Sequence, residues 1–97
     1  MMSLEQACNI LHVDEGTNDV FITSLIMALP SYIELATGLT EEQQESEPLV
    51  EVVSGFLLTS WYYADHADDQ ALKRTTNTLL KAISLRYRDL KSKLPYV

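Results

Sequence analysis

NDVFITSLIMALPSYIELATG, residues 18–38, is the stretch from which the fold is read. On a helical wheel Ile22, Leu25, Ile26, Leu29, Tyr32, Ile33 and Ala36 fall on one broad stripe, with Phe21 and Ala28 at its border. That recurrence at i, i+3, i+4 and i+7 is the signature of an amphipathic helix packed on a core. Asn18 is placed to cap the first turn, and Asp19 puts negative charge where the helix dipole favours it. Gly38 supplies a left-handed stop at the other end. Thr23, Ser31 and Glu34 mark the polar side. Pro30 lies inside the pattern and removes the hydrogen bond to the Ile26 carbonyl. Because the apolar stripe keeps its phase across the proline, the expectation is one kinked helix, with a break at Leu29 as the competing reading.

The rest of the chain is short. Ninety-seven residues allow one domain with a modest core, for which help from partner subunits is natural. A composition 46% hydrophobic and 22% charged belongs to globular proteins rather than disordered ones. No apolar run is expected to reach the ~20 residues that span a bilayer, and the N-terminus lacks the basic-then-apolar order of a signal peptide. The single Cys8 excludes an internal disulfide, and among its apolar neighbours it reads as a small core residue.

The net charge of −7 conceals an asymmetry. Residues 1–50 hold nine acids and no Lys or Arg, whereas residues 70–97 hold seven bases against the single acid Asp89, a net +6. A subunit acidic at one end and basic at the other suits head-to-tail association or a charged partner; two separately solvated surfaces are the plainer alternative.

In chain order, Ser3-Leu4-Glu5-Gln6 forms a capping box that opens a short helix to about Leu11, with Leu4, Ala7, Cys8 and Leu11 inward. An acidic turn over residues 12–17 leads into the central helix. Residues 38–47, with Glu41, Glu42, Glu45 and Glu47, contain too few apolar side chains to pack and are expected to form a flexible acidic loop. Pro48 suits the first turn of a third helix capped by Ser46 or Glu47 and running to about Ala64. Leu49, Val52, Val53, Phe56, Leu57, Trp61 and Ala64 share one of its faces, and Val50, Leu58 and Tyr62 widen it. A fourth helix is expected from about Gln70 to Lys91 with Asp68 or Asp69 as cap, its inner face carrying Leu72, Leu79, Leu80, Ile83, Tyr87 and Leu90. Residues 92–97 make a C-terminal tail. No strand-period alternation occurs, so the fold class is all-α: a small four-helix domain spanning 1–97 with a long, kinked second helix.

Catalytic and metal chemistry find no footing in this pattern. His12 with Asp14, and His66 with Asp65 and Asp68, match no ligand spacing on a helix turn. There is no G-x-S-x-G elbow and no glycine-rich phosphate loop. The carboxylates of the 38–47 segment sit where nothing fixes their geometry or raises a pKa. No catalytic residue, no metal and no cofactor is assigned.

Lys73, Arg74, Lys81, Arg86, Arg88, Lys91 and Lys93 make the fourth helix basic, which is the electrostatic ingredient for phosphate contacts. They point in many directions, however, with only Lys81, Arg88 and partly Arg74 on a shared side. The overall pI of about 4.5 also opposes a dedicated DNA binder. A solvated face, or one that meets an acidic neighbour, is the preferred reading. Trp61, Tyr62 and Tyr63 place three rings on different sides of one turn, so at least one is expected to face away from the core. They are either interface anchors or covered by the fourth helix.

Taken in order, these segments resemble the small head–tail connector proteins of long-tailed phages and prophages, a family of head-completion adaptors also labelled DNA-packaging proteins. The family outline has an S/T-L-E-E helix, L-x-V-D with an acidic turn, and a long helix of the type L-I-x-x-A-x-x-Y-I-E-x-x-T-G. Here these positions read Leu11-x-Val13-Asp14, then Leu25-Ile26-x-x-Leu29-x-x-Tyr32-Ile33-Glu34-x-x-Thr37-Gly38. FLLTSWYYAD is similar to the family's apolar third helix, and TNTLLKAISLRYR to its closing helix. The chain departs from the outline at Pro30 and in the longer basic ending DLKSKLPYV.

The resemblance implies a non-enzymatic subunit of a ring that matches the portal's twelvefold symmetry. Its implied partners are further copies of itself, the portal protein, and a tail-side adaptor or tail completion protein. DNA only passes through the channel, and no membrane is involved. The implied location is the head–tail junction of the virion, with host cytoplasm before assembly. On this reading Trp61, Tyr62, Tyr63, Arg86, Arg88, Lys91, Lys93 and Tyr96 are candidates for the contact with a neighbouring subunit or the portal. Glu41, Glu42, Glu45 and Glu47 are candidates for facing the channel, where they would repel phosphates, or a partner. The runner-up is a small acidic phage protein that inhibits a host DNA-binding protein. A third reading is a packaging subunit that touches DNA through its basic helix.

Overall fold

Local capping signals set the helix boundaries. In the computed structural model, which describes residues 2–63 and 70–92 with side chains as far as residue 86, Ser3 accepts from the Gln6 N–H and Gln6 reaches back to the Ser3 N–H. This closed capping box starts α1, Leu4–Leu11. His12 ends it in the left-handed region, at φ 59°, with its N–H turned back to the carbonyls of Cys8 and Asn9. The long helix α2, Asp19–Thr37, runs unbroken through Pro30 and stops at Gly38, where φ is 85°. Asn18 occupies the cap position without making a side-chain cap bond. Its amide donates instead to the Tyr62 hydroxyl at 2.7 Å. The turn before α2 is closed by Asp19, whose carboxylate accepts from the Gly16 N–H at 2.8 Å.

The expected flexible loop over 38–47 contains a helix at its centre. A second closed capping box, Thr40 with Gln43, nucleates the short helix α3, Glu41–Glu45. Gln44 then ties it down: its side chain is buried and its amide donates to the carbonyls of Pro30 at 2.9 Å and Leu39 at 3.1 Å. A run poor in apolar residues is thus held by backbone acceptors rather than by burial of hydrocarbon. The four-helix expectation becomes five helices among the described residues for the same reason.

Helix α4, Pro48–Tyr62, begins with proline at its first turn and Glu47 as cap. It ends two residues earlier than expected, at Tyr62. Helix α5 covers Gln70–Ser92. The proposed caps Asp68 and Asp69, and the tail residues after Ser92, lie outside the described residues. Contacts between ends fix the topology. Tyr63, after α4, donates to the Leu11 carbonyl at the end of α1, and Tyr62 meets Asn18 at the start of α2. Glu47, at the start of α4, meets Arg86 late in α5. Successive long helices therefore alternate in direction, and α3 bridges the turn from α2 to α4.

The core gathers Ala7, Cys8 and Leu11 of α1, Ile22, Ile26, Leu29 and Ile33 of α2, Val50, Val53, Leu57 and Leu58 of α4, and Leu80 and Ile83 of α5. Helix α4 packs against α1, α2 and α5 at once, in keeping with its wide apolar circumference. Val50 and Leu58, expected only to widen that surface, are core, whereas Val52 is 48% exposed. The inner stripe of α2 is narrower than expected, because Tyr32 and Ala36 lie outside it. Helix α2 is also long and apolar enough to cross a membrane by length and composition, contrary to the expectation for the longest apolar run. Pro30 and Glu34 interrupt it, and its stripe lies in the protein core.

Candidate interaction surfaces

The aromatic run at the end of α4 is engaged within the chain. Trp61 meets Tyr32 edge-on, with ring centroids 5.4 Å apart. Tyr62 lies 5.9 Å from Phe21 and 4.9 Å from Tyr63, and its hydroxyl accepts the Asn18 amide. Tyr63 sits over the end of α1, satisfying a carbonyl that the helix leaves without an amide partner. These rings therefore bind the α4 terminus to α1 and α2. They remain partly solvent-facing: Tyr63 is 37% and Phe21 50% exposed.

Of the basic candidates, Arg86 approaches Glu47 at 3.4 Å, in a pair whose arginine is 61% exposed. Such a pair is worth at most about 1 kcal/mol. Glu47 is also the cap of α4, accepting from the Leu49 N–H, so its principal contacts are internal. Arg88 and Lys91 fall on the backbone of α5, but their side chains, like Lys93 and Tyr96 as a whole, lie outside the described residues. Glu41, Glu42 and Glu45 are exposed along α3. No ion pair among the described residues involves them.

Two surfaces were not foreseen from the sequence. The first is the outer side of α2, where Val20 (86% exposed), Met27 (65%) and Leu35 (88%) face solvent. Their signal lay in α2 itself, whose apolar residues outnumber what one stripe accommodates. The second is an open groove of about 750 Å³ between α1, the middle of α2, α3 and the first half of α4. Ile10, Pro30 and Val50 contribute to its apolar floor, while Glu41, Glu45, Glu47 and Glu51 stand along it; among the described residues no Lys or Arg lines it. The groove depends on α3 being folded, which is why sequence periodicity did not reveal it.

Cys8 is buried in the core and free. Burial pushes its thiol above the ordinary value, with the carboxylates of Asp19, Glu15 and Asp14 adding to the effect. A protonated, enclosed thiol is a poor nucleophile. No family model, curated protein or solved structure matches this chain.

Proposed function

We propose that the chain is a non-enzymatic structural subunit of a phage or prophage head–tail connector, closing into a ring beneath the portal and joining the DNA-filled head to the tail. The observation that carries this reading is the outer side of α2. A small domain that leaves Val20, Met27 and Leu35 in water, beside half-exposed Phe21 and Tyr32, offers a surface suited to being covered by another protein. The sequence resemblance supplies the class of assembly, and the unlike charges of the two ends of the chain favour a heterologous contact that repeats until it closes. Within this reading Pro30 bends α2 where the helix lacks one amide donor. The portal and a tail-side adaptor or completion protein cover the two rims of the ring, and DNA passes through without being read.

The acidic inhibitor of a host DNA-binding protein remains the second reading, favoured by the row of carboxylates on α3 and the start of α4. Solution mass across a concentration series, with negative-stain imaging of the large species, separates the two. Closed rings are expected. A chain that stays monomeric or dimeric throughout, and competes with DNA for a host protein, would replace the connector by the inhibitor.

A further inference from the structure

From the groove and from α5 we infer how one subunit holds the next: the carboxylate-lined groove receives the outward stripe of α5 from a second copy of this chain. The inference rests on the ring reading and specifies its contact. On α5, Arg74, Lys81 and Leu85 are separated by seven and four residues, so they stand nearly in line along the helix. All three are exposed, Leu85 at 52%. An apolar side chain in the last third of a basic line has no place in the subunit's own core, because the inner side of α5 is supplied by Thr76, Leu80 and Ile83.

The groove has the complementary pattern. Its floor is apolar, with Ile10 still 38% exposed, and its sides carry Glu41, Glu45 and Glu51. None of these three carboxylates is in an ion pair among the described residues, since Arg86 of the same chain reaches only Glu47. Leu85 of a second copy would bury against the floor, and Lys81 and Arg74 would meet the free carboxylates. Because the groove and the stripe are different surfaces, each copy can give one contact and accept another. This is the heterologous pairing from which rings close. The charge match also orients the approach and disfavours groove-to-groove pairing.

Two variants test the contact: E45K/E51K, which reverses the groove, and R74E/K81E, which reverses the stripe. All four side chains are exposed, and Glu47 and Arg86 are left untouched to preserve the cap of α4 and its ion pair. Each variant alone should keep wild-type helicity by circular dichroism. Each should also need a concentration higher by about tenfold or more to reach half-assembly, because like charges then face each other. Mixed one to one, both contacts in an alternating ring again pair opposite charges, and assembly should return to the wild-type midpoint. A misfolded variant could not be rescued in this way. Wild-type assembly by either variant alone, or a mixture no better than its components, would overturn the groove contact while leaving the ring standing. That outcome includes the case in which the groove is filled by the chain's own C-terminal residues. A wild-type chain that forms no assembly would remove this contact, and the ring reading with it where that chain also competes with DNA for a host protein.

Discussion

Single side chains in this protein solve problems that hydropathy does not display. Thr37 and Thr76 are each 4% exposed, and each donates its hydroxyl to the carbonyl four residues back in its own helix, at 2.7 and 2.8 Å. A hydroxyl satisfied in this way can occupy a core position that a sequence reading assigns to apolar residues. Gly55 is the reverse case, a residue whose small size nothing requires. It lies inside α4, and among the described residues a Cβ there would meet only Ile10 Cδ1, at an ordinary 3.8 Å. Gly55→Ala should therefore stabilise the fold by about 0.5–1 kcal/mol, read as a higher denaturant midpoint. Cys8 gives a pH dependence of defined sign. Its thiol titrates at a higher pH in the folded chain than in the unfolded one, so the folded state holds the proton longer. The stabilisation is complete at low pH and declines as pH rises past the unfolded thiol's value of about 8.5. Cys8→Ala should flatten that alkaline decline in denaturant titrations, and a slope unchanged by the substitution would refute the assignment.

At the scale of elements, α3 shows most clearly what the sequence conceals. The beginnings of α1 and α4 and the end of α2 were legible because Ser3, Pro48 and Gly38 act locally, through bonds and dihedrals within a few residues of themselves. Thr40 and Gln43 offer the same local signal, a closed capping box, but in a segment read only for hydrocarbon. What fixes that segment is Gln44, whose contact with the Pro30 carbonyl spans fourteen residues; such a bond leaves no periodic trace. Gln44→Ala removes two hydrogen bonds and leaves the Leu39 carbonyl without its side-chain donor. A loss of about 1–3 kcal/mol is expected, and amide exchange should accelerate in α3 before the longer helices are affected. Exchange in α3 already as fast as in an open loop in the wild-type chain would contradict its being a fixed wall of the groove. The aromatic run shows a related limit of pattern reading. Wheel angles predicted that a ring would leave the core, and Tyr63 is exposed; what they did not show is that Tyr63 and Tyr62 find polar partners at the ends of α1 and α2. Those partners become visible only once the helices alternate in direction.

For the whole molecule, the separation of charge along the sequence is only partly a separation in space. Arg86 lies beside Glu47 at one end of the bundle, so the basic helix and the acidic groove meet there within one subunit. Among the described residues, Arg74 and Lys81 on the outward side of α5 and Glu41, Glu45 and Glu51 of the groove are exposed on separate surfaces, and these give the chain two unlike sides. The exposed side of α2, with Val20, Met27 and Leu35, is a third and apolar surface. A domain of 11.0 kDa built this way is expected to complete its burial of apolar surface by association rather than alone. Native mass spectrometry of the wild-type chain, at concentrations where large species form, tests that claim most directly because it counts subunits. The account predicts one dominant closed species, with twelve copies the number implied by portal symmetry. A monomer at every concentration, or an open ladder of sizes with no preferred multiple, would contradict it.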